Sequence, residues 1–110
     1  MNFDEYQKLT GKTAVYPKIL GKNFVYPALG LAGETGEVLE KIKKIFRDKK
    51  GKVLKEDRVE LEKELGDALW YLSQLSTELG IKLSDVAKMN IEKLKSRKQR
   101  DKIHGSGDNR

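Results

Sequence analysis

The stretch "VELEKELGDALWYLSQLSTELG", residues 59–80, decides the fold. Leu61, Leu65, Ala68, Leu72, Leu75 and Leu79 recur in alternating steps of four and three. That is the period of a helix burying one seam against other helices. A half-buried strand needs an apolar residue at every second position, and no stretch of useful length shows that alternation. The spacing predicts a helix over 56–79. Gly80 follows it, and glycine readily takes the left-handed conformation just past a helix end.

The neighbouring segments read the same way. "DKKGKV", residues 48–53, is a polar turn centred on Gly51. Before it, Leu31, Val38, Ile42 and Ile45 fall at helical spacing with Thr35 in the gap, so a helix is expected over 28–48. After Gly80, Ser84 is placed to cap a helix over 85–100 with Ala87, Ile91 and Leu94 on its apolar side. At the start, Asn2 and Glu5 form a capping-box pattern for a short helix over 2–10. Residues 11–27 contain Gly11, Pro17, Gly21 and Pro27 and read as an irregular connection carrying Tyr16, Phe24 and Tyr26. A connection this long is usually functional or packed over something. The expected fold is all-α, one domain over 1–110, with a basic, turn-rich tail over about 101–110.

Composition narrows the function classes. The chain has 110 residues, 37% hydrophobic and 36% charged, which suits narrow apolar seams and an oligomer that shares them. There is no cysteine, so disulfides and thiolate metal sites are excluded. No long apolar run or leader-like pattern is present, so a soluble cytoplasmic protein with no membrane role is expected. The net charge of +6 permits a polyanion or an anionic nucleotide as partner. Much of the excess lies in "EKLKSRKQRDK", residues 92–102. A basic helical nucleic-acid-binding module is the alternative from a different class. No helix-turn-helix, zinc-finger or recognition-sheet pattern supports it, and an acidic cluster would repel a phosphate backbone.

The acidic cluster carries the chemistry. Glu34 and Glu37 in "GLAGETGEV", residues 30–38, are three apart and share a helix face. Glu64 and Asp67 repeat the spacing on the next helix. If the two helices pack antiparallel, four carboxylates converge at the edge of one core. Like charges so placed repel, and a divalent cation resolves the repulsion. Mg²⁺ prefers oxygen ligands and commonly shares substrate phosphates, whereas the lack of histidine or cysteine partners argues against zinc. Gly30, Gly33, Gly36 and Gly66 flank these carboxylates. Their presence is expected to clear space where helix backbones and a metal-bound ligand come close.

"GLAGETGEV" followed by "ELGDALWYL" resembles the MazG-like nucleoside triphosphate pyrophosphohydrolases of the all-α NTP pyrophosphatase group. The match is Glu-x-x-Glu at Glu34 and Glu37, then Glu-x-x-Asp at Glu64 and Asp67, with 26 residues between the motifs. "NIEKLKSR" resembles the family's later Asn-x-x-Lys segment, and "HGSGDNR" resembles the tail of a branch of small MazG-like proteins. The resemblance implies a helical bundle completed by oligomerisation, as a homodimer or homotetramer. It implies Mg²⁺-dependent hydrolysis of a (d)NTP to a monophosphate and pyrophosphate, with Mn²⁺ as a substitute ion and nucleotide-pool house-cleaning as a role. A dUTPase-like enzyme or a phosphoribosyl-ATP pyrophosphohydrolase is the alternative inside the same superfamily.

The residue roles it implies are specific. Glu34, Glu37, Glu64 and Asp67 bind metal, and one of Glu34 and Glu37 helps activate water. Asn90 and Lys93 match the Asn-x-x-Lys positions and are expected to hold phosphate oxygens. Arg97 and Arg100 continue that face by helical spacing. Tyr71, four residues after Asp67, is expected to contact sugar or base, and Tyr16, Phe24 and Tyr26 to cover the base. Trp70 is assigned to the core or a subunit interface, and His104 to solvent.

Overall fold

Asn2 opens the first helix, α1 (Phe3–Gly11), through a reciprocal cap. The Glu5 N–H donates to Asn2 Oδ1 at 2.9 Å, and the Asn2 N–H donates to Glu5 Oε2 at 3.1 Å. The computed structural model describes residues 1–110, and three further helices follow: α2 (Val25–Lys49), α3 (Lys55–Glu78) and α4 (Leu83–Gln99). No strand forms; a lone bridge between Ile19 and Lys22 sits in the α1–α2 connection. The all-α expectation holds.

Two boundaries differ from the sequence reading. The second helix starts at Val25, so Tyr26 and Pro27 belong to its first turn and not to the connection. Proline is tolerated there because the first-turn N–H groups have no intrahelical acceptor to lose. The fourth helix starts at Leu83, and Ser84 is not its cap. Gln7 of α1 takes that role from a distance: its Oε1 accepts the Leu83 N–H at 2.8 Å. The Gln7 Nε2 donates to Thr77 Oγ1 and to the Ile81 carbonyl, so one side chain ties α1 to the α3–α4 turn. The Ser84 hydroxyl instead donates to Asp4 Oδ1 at 2.7 Å.

Helices α2 and α3 form an antiparallel hairpin. Lys50 and Gly51 turn the chain with φ of 55° and 81°. The Asp57 carboxylate then accepts the Leu54 N–H at 2.9 Å and Lys49 Nζ at 2.6 Å, joining the end of one helix to the start of the next. Further along, Lys41 meets Glu64, and Gly30 meets Tyr71. These pairings run in opposite directions along the two helices, as antiparallel packing requires. The hairpin holds most of the inter-helix packing, and α2 packs on α3 alone.

The interior is not the leucine seam that the periodicity predicts. The most buried residues of α3 are Ser73, Gln74 and Ser76, which sit among hydroxyl and amide partners. Gln74 Nε2 donates to Thr10 Oγ1 at 2.7 Å, and Thr10 and Ser73 hydroxyls lie 3.0 Å apart. The buried apolar side chains are Pro27, Ile45 and Leu83. Leu65 and Leu79 of the expected seam remain more than half exposed, at 56% and 51%. On α4, Ile91 and Leu94 are exposed, while Leu83 and Arg97 are buried. The reason is the layout: α1 covers α3 with a polar network, and α4 leans on α1 and α3 without reaching α2. No helix is long and apolar enough to cross a membrane.

Candidate metal centre

The hairpin converts sequence spacing into a cluster. Glu34 comes from α2, and Glu64 and Asp67 come from α3, one turn apart. One carboxylate oxygen from each lies within 4.8 Å of the others. At such separations two full negative charges repel by about 1 to 4 kcal/mol, depending on how strongly solvent screens them. The effect is visible on Glu34. Burial raises its carboxyl above the ordinary range, and the charges of Asp67, Glu64 and Glu37 push it further. Glu37 therefore acts on the cluster electrostatically but stands outside the three-oxygen group.

Lys41 answers part of this charge through an ion pair. Lys41 Nζ lies 3.4 Å from Glu64 Oε1 and 3.9 Å from Glu60 Oε2. Glu64 is the more enclosed partner, with its side chain 19% exposed. The donor set is oxygen only, which suits a hard divalent cation and not a thiophilic one.

Beside the carboxylates lies a cleft of about 310 Å³ lined by Thr13, Glu34, Asp67, Trp70 and Tyr71. Asp67, Trp70 and Tyr71 occupy positions i, i+3 and i+4 on α3, one helix face. Trp70 is thus a correction: it lines the acidic cleft. Its signal was in the sequence, since i+3 from Asp67 shares a face as surely as i+4. Thr13 had no local signal, because the α1–α2 connection brings it across 57 positions to accept from Trp70 Nε1 at 2.9 Å.

The wall beyond is aromatic. The Trp70 and Tyr71 rings meet edge-to-face at 5.0 Å, and Tyr16 meets Trp70 edge-to-face at 6.2 Å. Tyr16 and Tyr26 stack at 5.6 Å with nearly parallel rings. The Tyr16 hydroxyl donates to Glu78 Oε1 at 2.5 Å, and its pKa rises well above the usual phenol value through burial and that acceptor. Burial also raises the Tyr71 hydroxyl, with Tyr26 and then the Glu34 and Asp67 charges adding to it.

Only one flanking glycine is explained by close approach. A Cβ at Gly30 would collide with the Tyr71 ring, so the ring packs directly on the α2 backbone. At Gly33, Gly36 and Gly66 a Cβ would meet nothing within 4 Å, so no other helix of the chain comes close there.

The α4 residues lie elsewhere. Asn90 and Lys93 line a separate hollow with Gly80, Ile81, Val86 and Met89. Arg97 is buried beneath the C-terminal tail, where its Nη2 donates to the Asp108 carbonyl at 2.7 Å. Asp108 Oδ1 lies 3.8 Å from both Lys93 Nζ and Arg97 Nη2. Arg100 donates to the Arg110 carbonyl at 2.9 Å. Because α4 does not touch α2, these side chains and the carboxylate cluster are not brought together within one chain. His104 and Phe24 are exposed, the first as expected.

The family model of the MazG nucleotide pyrophosphohydrolase domain matches residues 27–100. The chain is 47% identical to the "Gene 37 protein" of Mycobacterium phage L5 over 114 aligned positions, covering all of both chains. No solved structure matches.

Proposed function

The chain belongs to the MazG nucleotide pyrophosphohydrolase family, and from its acidic site we propose that it hydrolyses a nucleoside triphosphate to the monophosphate and pyrophosphate with Mg²⁺. The observation that carries this reading is the convergence of Glu34, Glu64 and Asp67 beside an aromatic cleft. Three oxygens that repel one another need a cation, and the adjoining rings suit a base or sugar.

Glu34, Glu64 and Asp67 would hold the ion, with Glu37 one turn further along α2 completing the negative field. Mg²⁺, or Mn²⁺ in its place, would neutralise charge on the phosphate oxygens during transfer. One of Glu34 and Glu37 accepts the proton of the attacking water. Tyr71 lies against the sugar or base. Asn90 and Lys93 hold phosphate oxygens, and Arg97 orders the tail beside them. Since α4 stays away from α2 within the chain, a second copy supplies these groups.

That assembly also answers the exposed apolar surface. Leu29, Leu39, Phe46 and Leu65 are 62%, 61%, 67% and 56% exposed along the hairpin. A homodimer or homotetramer completes the bundle by covering them. Residues 1–110 act as one unit in the cytoplasm, cleaning the nucleotide pool.

The test is incubation of the pure protein with Mg²⁺ and a panel of NTPs and dNTPs, separating pyrophosphate from orthophosphate. Mg²⁺-dependent monophosphate plus pyrophosphate is the expected result. Orthophosphate and diphosphate as the products would refute the reaction class.

A further inference from the structure

Arg97 stands one turn after Lys93 on α4, yet it is 5% exposed and enclosed by the C-terminal tail. The tail pairs it incompletely. Its Nη2 donates to the Asp108 carbonyl at 2.7 Å and reaches the Gly107 carbonyl at 3.5 Å. Its Nε is buried with no hydrogen-bond partner. The Asp108 carboxylate stops 3.8 Å from Nη2, outside hydrogen-bond range. A buried N–H left unpaired is costly, and a better acceptor removes that cost.

Lys93 shows the same incomplete pairing. Its Nζ lies 3.8 Å from the same Asp108 oxygen, and it has no other ion pair in the chain. Lys93 and Arg97 are four apart on one helix face, so one anion can meet both. The Asp108 side chain is 91% exposed, so water screens its attraction for them. A phosphate brings these cations more charge and more acceptor oxygens than one carboxylate does.

The rest of the tail is built as one small body. Arg110 folds back and donates to the Lys102, Ile103 and Gly107 carbonyls. Gly105 and Gly107 allow that closure with φ of 133° and 87°. Beyond Arg97 and the root at Lys102, the body is tied to α4 by Arg100, which donates to the Arg110 carbonyl. Residues 101–109 are all exposed, so little buried apolar surface holds the tail down.

We propose that the tail is a latch on the cation pair of α4: Asp108 and the carbonyls beside it occupy Lys93 and Arg97 until the phosphates of the substrate displace them. The inference rests on the proposed phosphate-holding role of Lys93 and extends it to Arg97, which meets phosphate only once the tail has lifted. A polyphosphate shifts this equilibrium because it reaches Arg97 in the lifted state alone.

The experiment adds inorganic tripolyphosphate to the ¹⁵N-labelled full-length protein without divalent metal, so that the carboxylate cluster does not recruit it. The heteronuclear NOE of the Gly105 and Gly107 amides should fall to that of a mobile chain end, and the Arg97 Nε resonance should move. A tail still ordered at saturation overturns the latch. So does equal release by potassium chloride at matched ionic strength, which would mean simple screening. Asp108→Asn removes the competing charge and should bind tripolyphosphate about two- to fivefold more tightly, the scale of one exposed ion pair. Arg110→Ala opens the closed tail without touching either cation and should tighten binding in the same direction. Weaker binding in either variant overturns the proposal, since the tail would then help to hold the anion. Absence of binding even in Arg110→Ala overturns it as well. Turnover of ATP is read separately. Tail release without turnover would keep the latch and remove the proposed reaction, and turnover with the tail held in place would do the reverse.

Discussion

The acidic end of the α2–α3 hairpin and the basic face of α4 carry the same kind of signal, functional side chains three residues apart on one helix face. The fold treats them oppositely. Glu34, Glu64 and Asp67 come from two helices that pack antiparallel, so their carboxylates meet within 4.8 Å. Asn90 and Lys93 sit on a helix that touches α1 and α3 but not α2, and Arg97 is drawn under the tail. Spacing places residues on a face. Only a packing partner turns a face into a site.

The largest expected effects come from breaking the acidic side. Glu37→Ala or Asp67→Ala should reduce turnover by about a hundred- to a thousandfold, the scale of losing one electrostatic contact to the reacting group, with the helical circular dichroism unchanged. Removing Mg²⁺ with a chelator should do the same reversibly. The stability effect runs the other way. Glu34→Gln removes a like charge, so in metal-free protein it should raise Tm by a few degrees, about 0.5 to 1 kcal/mol for a domain this size. Wild-type turnover in any of these variants would remove that residue from the centre.

The glycines sharpen the comparison at the next level. Gly30→Ala forces Tyr71 off the helix backbone and should cost about 1 to 3 kcal/mol in denaturant unfolding, the usual range for overpacking. Gly33→Ala and Gly36→Ala meet open space and should leave stability equal or raise it by up to about 1 kcal/mol. Equal losses at all three positions would mean that the open faces are filled by another copy.

On the basic side the effects are smaller and split between residues. Lys93→Ala should raise KM for a triphosphate by about tenfold and keep kcat, as loss of one charge-assisted phosphate contact predicts. Arg97→Ala should first lower stability by about 1 to 3 kcal/mol, because it strips buried donors from the tail carbonyls. An unchanged KM for Lys93→Ala would count against its role.

The smallest effect is a titration. In metal-free protein the Glu34 carboxyl should titrate above the ordinary glutamate value, and Asp57 below the ordinary aspartate value, as followed by carbon NMR. The signs oppose each other in stability. A raised Glu34 contributes stability that is present below its unfolded pKa and lost as pH rises through the folded value. A lowered Asp57 contributes stability that is present above its unfolded pKa and lost as pH falls through the folded value. Saturating Mg²⁺ should bring the Glu34 midpoint down and leave Asp57 in place.

The legible parts of this molecule were local. Helix periods, the Asn2–Glu5 cap and the turn at Gly51 are short-range signals, and all appear in the structure. The acidic cluster was legible because a short turn leaves two long helices no alternative but to pack side by side. The cap on α4 was not, since Gln7 reaches Leu83 across 76 positions. Neither was the polar α1–α3 seam, where Thr10, Ser73 and Gln74 satisfy one another in place of leucines. Trp70 is the instructive miss: its position three residues after Asp67 pointed to the cleft, but its apolar character pointed to a core.

The most direct test is Mn²⁺ binding followed by electron paramagnetic resonance. Wild type and the Asn90→Ala and Lys93→Ala variants should bind the ion, and a chain carrying Glu34→Gln, Glu64→Gln and Asp67→Asn together should not. Unchanged binding by the triple variant would contradict a metal centre at the acidic end of the hairpin.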